Sequence, residues 1–192
     1  MAMPAAERRR WTAGEVRELI AANPRVTPRY ELVDGELLVT PSPSGLHQLA
    51  VRELLIALAA YLDKNRVGEV LFSPFDVEPE PEFLAQPDLF VVPLHEAKRL
   101  RTEMPARELL LAVEVLSPSS GRHDRVQKRP LYQRNVPDYW IVDLDARLVE
   151  RWRPQDERPE VLSQMLVWHP EGALEACTLD LPGYFAKVFG ES

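Results

Sequence analysis

A glutamate stands inside one of the most apolar stretches of the chain. Glu114 lies in LLLAVEVL, residues 109–116, a pattern typical of a strand that is covered on both faces of its sheet. An unpaired carboxylate at such a position would cost several kcal/mol to bury. Glu114 therefore requires a basic partner, a proton or a metal ion. A structural salt bridge, or a position at the rim of the sheet, is the simpler alternative.

A second carboxylate opens another run of this kind. In QPDLFVV, Pro87 precedes Asp88 and four apolar residues follow it, which places Asp88 at the start of a strand or at a bulge. A turn residue is the plain alternative. If the two strands are neighbours, the two carboxylates come together, and a cation between them would relieve their repulsion. Mg²⁺ prefers one or two carboxylates completed by water and phosphate oxygens, so this pair predicts a site for Mg²⁺ or Mn²⁺.

Downstream of these carboxylates the acidic chain carries a basic segment. GRHDRVQKRPLYQR, residues 121–134, holds five Arg or Lys residues against one acid, Asp124. On a helix Asp124, Lys128 and Tyr132 share one face. Lys128 would then point to the carboxylates and Tyr132 would help to place a phosphate, although a solvated helix face is the simpler interpretation. The residues predicted to contact nucleic-acid phosphates are Arg122, Arg125 and Arg129.

The elements that must position these residues begin with a helix and a hairpin. Residues 12–22 predict a short helix, with Thr12 as N-cap and Glu15 three residues later. Asp34 and Gly35 separate two apolar runs and predict a tight β-hairpin turn. Glu36, just past the turn, reads most simply as an exposed strand residue. A buried helix follows over residues 47–62, and His47 begins its inward stripe, a position more typical of a core histidine than of a ligand.

The remaining pattern predicts a mixed sheet with helices against it. Strands are expected over residues 69–77, 88–92, 109–116 and 139–143, with a helix over 122–135 that Pro130 kinks or delays. Residues 147–152 and 161–168 extend the β region, and residues 181–189 form a terminal helix. The order helix, three strands, helix, strand, with an added N-terminal hairpin, predicts an α/β (α+β) fold with a mixed central sheet.

Length and composition limit the class of protein. A chain of 192 residues predicts a single domain, with a leader and short helix in 1–29, a core in 30–143 and a C-terminal extension in 144–192. The longest apolar run is nine residues, too short for a membrane helix, and the N-terminus lacks the apolar segment of a secretory signal. One cysteine excludes an internal disulfide and zinc sites built on several cysteines, and a cytoplasmic location is expected. A net charge of −7 argues against a protein that coats nucleic acid.

Several short motifs occur in an order that resembles a known family. They are YELVDGEL, the loop that leads to His47, QPDL, VEVLSPSS, D-x-x-x-K with a tyrosine, and VPDYWIVD. This ordered set, over residues 30–143, is similar to the Uma-type family of the restriction-endonuclease-like PD-(D/E)XK nuclease superfamily. The resemblance implies a core of αβββαβ order, which is the order read from the pattern above.

The resemblance also implies roles for individual residues. Asp88 takes the place of the superfamily's metal-binding aspartate, and Glu114 takes that of its second carboxylate. The superfamily lysine two residues after that glutamate is replaced here by Leu116, so Lys128 would supply the amine from the next helix. Glu36 and His47 match family motif positions beside the site and are expected to support it.

Together the residues and the resemblance predict a metal-dependent endonuclease that hydrolyses phosphodiesters, most simply in DNA. Asp88 and Glu114 would hold the ion, with the Val115 carbonyl as a further ligand, and a homodimer is expected. Two other classes stay open. An inactive nuclease-fold module that binds nucleic acid or protein would fit the net charge and Leu116, and a hydrolase could instead use the carboxylates as an acid/base pair.

Overall fold

A computed structural model describes residues 9–23, 28–40, 42–117 and 123–191 of the chain. Arg122, predicted to contact phosphates, lies outside these ranges, as does most of the predicted N-terminal leader.

The first helix and the hairpin pack against each other. Helix α1, Ala13–Ala22, starts at a capping box in which the Thr12 side chain accepts from the Glu15 backbone N–H and the Glu15 side chain accepts from that of Thr12. Strands β1, Arg29–Val33, and β2, Glu36–Thr40, form an antiparallel two-stranded sheet. Their turn residues Asp34 and Gly35 have φ values of +48° and +77°, as the predicted turn requires.

The core elements follow in the predicted order. They are helix α2, Gly45–Lys64; strands β3, Gly68–Phe72, and β4, Leu89–Pro93; helix α3, Leu94–Arg99; strand β5, Leu111–Val115; a π-helix, His123–Lys128, that continues into helix α4, Arg129–Asn135; and strand β6, Tyr139–Asp143. The C-terminal part adds strands β7, Leu148–Trp152, β8, Glu160–Leu162, β9, Met165–Trp168, and β10, Cys177–Asp180, and helix α5, Leu181–Phe189.

Six strands form one mixed sheet in the order β3-β4-β5-β6-β7-β8. Only β5 and β6 run parallel within it, because the π-helix and α4 carry the chain back across the sheet between them. Alternate residues of β5 face opposite layers: Val113 packs with α2 and α5, and Ala112 packs with α4. By the same alternation Glu114 lies on the α4 side.

The structure corrects several details of the predicted elements. The strand expected over residues 69–77 ends at Phe72, and Val77 makes only isolated bridges to Ala85 and Ala106. Helix α3 and strand β10 were not predicted. The helix expected over 122–135 becomes α-helical only at Arg129, and Pro130 stands in its first turn, where a missing backbone N–H costs nothing.

By length and composition alone, α2 is the one helix in the described part of the chain that could cross a membrane. A core helix meets the same criteria. Six of its side chains, Leu54 and Leu58 among them, are buried in the structure.

Two glycines provide a matched test of the packing at β3. A Cβ built on Gly68 would clash with the Val92 backbone oxygen, whereas one built on Gly45 meets nothing within 4 Å. We expect Gly68→Ala to destabilise the protein by about 2 kcal/mol, because the paired backbone of β4 cannot move aside. Gly45→Ala, at the start of α2, should be neutral or slightly stabilising. Urea unfolding of both variants tests this, and equal stabilities would contradict it.

Candidate active site

The two predicted carboxylates meet on neighbouring strands. Strands β4 and β5 are antiparallel, with Leu89 opposite Val113, so one further step of the register places Asp88 opposite Glu114. The Val115 backbone N–H donates to Asp88 Oδ2 over 2.9 Å, which fixes the aspartate against β5. Both side chains are buried. The pairing of strands predicted from the sequence is therefore the feature that builds the site.

Asp88 is held as an anion by donors from three elements. Besides the Val115 N–H, His47 Nε2 from α2 lies 2.9 Å from Oδ2, and Arg29 Nη1 from β1 donates to Oδ1 over 3.1 Å. Burial by itself would raise the pKa of Asp88. The hydrogen bond from His47 and the charges of His47 and Arg29 outweigh burial and lower that pKa to about 2. Asp88 is consequently ionised at any ordinary pH.

Lys128 reaches the other carboxylate and two more besides. Its Nζ lies 3.0 Å from Glu114 Oε1, 3.0 Å from Glu31 Oε2 and 3.4 Å from Asp124 Oδ1. The lysine is only 3% exposed, and burial would lower the pKa of its amine. The three surrounding carboxylates reverse that effect and raise the Lys128 pKa well above its ordinary value. The predicted approach of Lys128 to the carboxylates is present, with Glu31 and Asp124 as additional partners.

Glu114 has the opposite electrostatics to Asp88. Burial raises its pKa well above the ordinary value, and the neighbouring charges of Asp124, Asp88 and Glu31 add to that rise, although Lys128 opposes it. The Tyr132 hydroxyl lies 3.4 Å from Glu114 Oε1. Two carboxylates close together thus differ in how readily they give up a proton.

Tyr132 and His47, both predicted to support the site, are fixed by packing. The Tyr132 ring stacks on Tyr139 with centroids 4.7 Å apart and meets Phe83 edge-on at 5.1 Å. His47 lies in the first turn of α2, where Ser44 caps the helix by accepting from the His47 backbone N–H. The side chain of His47 is buried, as expected of a core histidine, and it is also hydrogen-bonded to Asp88.

Three site residues were not selected from the sequence. Glu31 is fully buried in β1, where its Oε1 accepts from the Gln86 backbone N–H over 2.8 Å while Oε2 meets Lys128. Glu31 shows the same pattern that identified Glu114, because it is a glutamate within an apolar strand, YELV. Asp124 was noted for sharing a helix face with Lys128 and as part of the D-x-x-x-K motif, but it was given no role in the site. Arg29 lies at the start of a strand and gave no signal.

Glu36 stands apart from this cluster. Its carboxylate accepts from Gln127 Nε2 over 2.7 Å, in the wall of a cleft of about 860 Å³ between the hairpin tip and α4. Gln127 directly precedes Lys128, so the cleft lies beside the buried cluster. Its lining includes the basic residues Arg9, Arg10 and Arg134.

The predicted phosphate-binding arginines that the structure describes have internal partners. Arg125 donates to Asp143 Oδ2 over 2.7 Å and to Glu150 Oε1 over 2.6 Å. Arg129 lies over the Trp152 ring, 4.6 Å from its centroid. Neither approaches the carboxylates of Asp88 or Glu114 in the hydrogen bonds of the described residues, so their role toward phosphates stays a prediction.

The opposite pKa shifts of Asp88 and Glu114 give a direct prediction. In a carboxyl-carbon NMR titration, Asp88 should titrate near pH 2 and Glu114 well above its ordinary value of 4.5. The reason is that Asp88 accepts from donors on three sides, which outweigh its burial, whereas burial dominates at Glu114, which shares one lysine with other acids. A normal midpoint for Glu114 would contradict the described arrangement.

Comparison with known proteins gives a family and a fold. A model of the family Uma2, described as "Putative restriction endonuclease", matches residues 17–182. A crystal structure from Anabaena variabilis ATCC 29413, described as a putative nuclease belonging to DUF820, is similar with a TM-score of 0.73 and 20% identity, over 89% of this chain and 97% of that one. No curated protein matches the chain. The predicted family and the mixed α/β fold are confirmed.

Proposed function

The chain belongs to the Uma2 family, and on that premise we propose that it is a metal-dependent endonuclease that hydrolyses phosphodiester bonds in DNA. The observation that carries the proposal is the buried cluster on β4 and β5. Asp88 and Glu114 stand opposite each other there, with Lys128 3.0 Å from Glu114. Carboxylates and an amine so placed, within a nuclease-like fold, are the groups that phosphodiester hydrolysis uses.

The chemistry of the donor set suits a divalent cation. Mg²⁺ and Mn²⁺ prefer carboxylate oxygens. Among the described residues, four buried carboxylates, those of Glu31, Asp88, Glu114 and Asp124, face two permanent cations, Arg29 and Lys128. Burial is the main cause of the raised pKa of Glu114, and this excess of negative charge adds to it. Among the described residues no group of three His, Cys, Asp or Glu side chains is already arranged as a metal cage. Instead, Lys128 and Arg29 form ion pairs with these carboxylates.

Asp88 and Glu114 are the residues that would hold the ion, with the Val115 carbonyl as a further ligand. When bound, the ion would supply positive charge to the phosphate and acidify a water molecule. Lys128 would orient the attacking water or neutralise charge that develops on the phosphate. Arg29 and His47 would keep Asp88 ionised and correctly oriented, and Tyr132 would help to place a phosphate.

The contacts to the nucleic-acid backbone are proposed on two surfaces. Arg125 and Arg129 would have to exchange their present partners for phosphates, and Arg122 belongs to the same segment. The cleft beside Glu36 offers a second set. Arg10 and Arg134 there are more than half exposed, and exposed ion pairs contribute little, so their partners are readily exchanged.

An inactive nuclease-fold module is the second candidate, and one observation favours it. In the described cluster Asp88 accepts from three donors and Glu114 from Lys128, so each carboxylate has partners within the protein. Such a module would bind nucleic acid or protein through the same face and cleave nothing. A dimer in the cytoplasm is the assembly and location that we propose for either function.

Cleavage of plasmid, single-stranded DNA and RNA in Mg²⁺, Mn²⁺ or EDTA tests the proposal. We expect cleavage of DNA with either metal and none in EDTA. Cleavage that persists in EDTA would contradict the role of the ion and favour an acid/base hydrolase. Binding of DNA without cleavage in any metal would identify the inactive module. Sedimentation of the same preparation would test the dimer.

A further inference from the structure

Strand β1 of the N-terminal hairpin brings two charged side chains to the site. Arg29 and Glu31 are two residues apart on this strand, so they point to the same side of it. The side chain of Arg29 is 10% exposed, and Glu31 is fully buried. Burial of a charged group is unfavourable unless the group is paired and hydrogen-bonded. The partners of these two side chains therefore show what the strand contributes.

Glu31 connects the two segments that carry the proposed catalytic residues. Its Oε1 accepts from the backbone N–H of Gln86, two residues before Asp88, over 2.8 Å. Its Oε2 lies 3.0 Å from Lys128 Nζ and also accepts from the Thr40 hydroxyl over 3.4 Å. One carboxylate thus bridges the segment that enters β4 and the lysine that precedes α4. The spacing between these two segments depends on the length of the glutamate side chain.

The position of Lys128 depends on Glu31 in a way that its other contacts do not replace. The ammonium has three N–H donors, and three carboxylates surround it. They are those of Glu31, Glu114 and Asp124, at 3.0, 3.0 and 3.4 Å. Asp124 belongs to the same π-helix as Lys128, so it moves with the lysine and cannot fix it relative to the sheet. Glu114 fixes the amine at one point, and Glu31 adds a second, because its other oxygen is bound to the Gln86 backbone.

The hairpin itself is attached to the core by other contacts. The backbones of Leu32 and Leu84 exchange two hydrogen bonds, of 2.7 and 3.0 Å. Both side chains are buried together with Val16 of α1 in one apolar cluster. These contacts dock β1 whether or not residue 31 carries a charge. The contacts of Glu31 are directed to the site instead.

We propose that Glu31 is a positioning residue that sets Lys128 relative to Asp88, so that the N-terminal hairpin is part of the active site. The proposal rests on the proposed nuclease function and adds to it a residue that acts through Lys128. A counterion that only neutralised Lys128 would need its charge and no particular length. A bridge between Gln86 and Lys128 needs both.

Two substitutions separate charge from reach. Glu31→Gln keeps the length and removes the charge, whereas Glu31→Asp keeps the charge and is one methylene shorter, so it cannot reach both partners. We expect each variant to lose at least about tenfold in kcat per folded molecule with KM unchanged, because a displacement of about 1 Å can cost about a hundredfold in rate. Wild-type kcat in Glu31→Asp would overturn the proposal, since charge alone would then suffice.

Glu96 on α3 provides the matched control. It is also a buried glutamate whose carboxylate joins a backbone N–H, that of Arg107, to a cation, Arg99. Glu96→Gln and Glu96→Asp should lower stability in urea unfolding and cleave like the wild type per folded molecule. An equal loss of kcat in the Glu96 variants would overturn the proposal, because any weakened buried bridge would then have the same effect.

The Lys128 ammonium reports the same contact without nucleic acid. In protein labelled with ¹⁵N-lysine, this buried group should give an NMR signal that is protected from exchange with water, and Glu31→Asp should lose the protection. Unchanged protection in Glu31→Asp would overturn the proposal, even in a protein that cleaves nothing. Loss of protection in a protein whose wild type does not cleave DNA would contradict the nuclease function alone. Wild-type cleavage by both Glu31 variants would contradict only this inference.

Discussion

Glu114→Gln is expected to abolish metal-dependent cleavage while leaving the fold intact. The substitution preserves shape but removes one of the two anions that would hold the ion. A loss of about 4 kcal/mol of transition-state stabilisation corresponds to roughly a thousand-fold loss of rate. Stability should be unchanged or higher, because burial and the nearby acids make ionised Glu114 unfavourable. Cleavage rates and urea unfolding of the same preparation measure both effects.

The pH dependence of this variant has a definite sign. The pKa of Glu114 is higher in the folded protein than in the unfolded chain, so the folded state binds the extra proton and ionisation of Glu114 reduces stability as pH rises. Any gain in stability of Glu114→Gln over the wild type should therefore grow as pH rises above 4.5, the ordinary pKa of a glutamate. Glu108→Gln, at an exposed glutamate, is the matched control and should change neither rate nor stability. Full activity of Glu114→Gln would refute the assignment of this site.

Asp88→Asn should lose cleavage and stability together. The charge of Asp88 is the buried counterpart of Arg29, whose side chain is only 10% exposed. Within the described parts of the chain, the other hydrogen-bond acceptors of Arg29 are the Ser73 hydroxyl and the Gln86 carbonyl. Removing one partner of a buried ion pair typically costs about 3–5 kcal/mol. The two carboxylates should therefore separate activity from stability: we expect both variants to be inactive and only Asp88→Asn to unfold readily.

Lowering the pH should reduce the difference in free energy of unfolding between the wild type and Asp88→Asn. The folded pKa of Asp88 is about 2, below the ordinary value of 3.8, so its ionised form stabilises the protein above that ordinary value. This contribution is lost as pH falls through about 2. Urea unfolding at pH 5 and at pH 2.5 measures the difference, with Asp63→Asn at an exposed site as the control. A difference that is constant with pH would contradict the ionic role of Asp88.

Much of the fold follows from local chemistry. Asp34 and Gly35 specify the hairpin because the turn needs positive φ at both positions, and the apolar run at 109–116 predicts a central strand. Short elements without a periodic pattern were missed. Helix α3 has six residues and β10 has four, too few for their spacing to be recognised.

The candidate site, like the fold, could be predicted only in part from the sequence. Glu114, Asp88 and Lys128 were predictable because a charge within an apolar run, or beside one, requires an explanation. Arg29 was not, because its partner Asp88 is 59 residues away and only the folded chain brings them together. Arg125 was predicted to face phosphates since sequence shows charge but not the acids of β6 and β7 that neutralise it.

The π-helix His123–Lys128 gives the site a tolerance to a change in chain length. A π-turn closes with one more residue than an α-turn, so deletion of Val126, which is exposed, would let the segment close as an α-helix. Asp124 would then precede Lys128 by three residues instead of four, and both spacings place two side chains on one face of a helix. With α4 anchored by Leu131 and Tyr132, the deletion would therefore keep Asp124 within reach of Lys128. This segment is a place where the chain can lose a residue while the buried cluster keeps its partners.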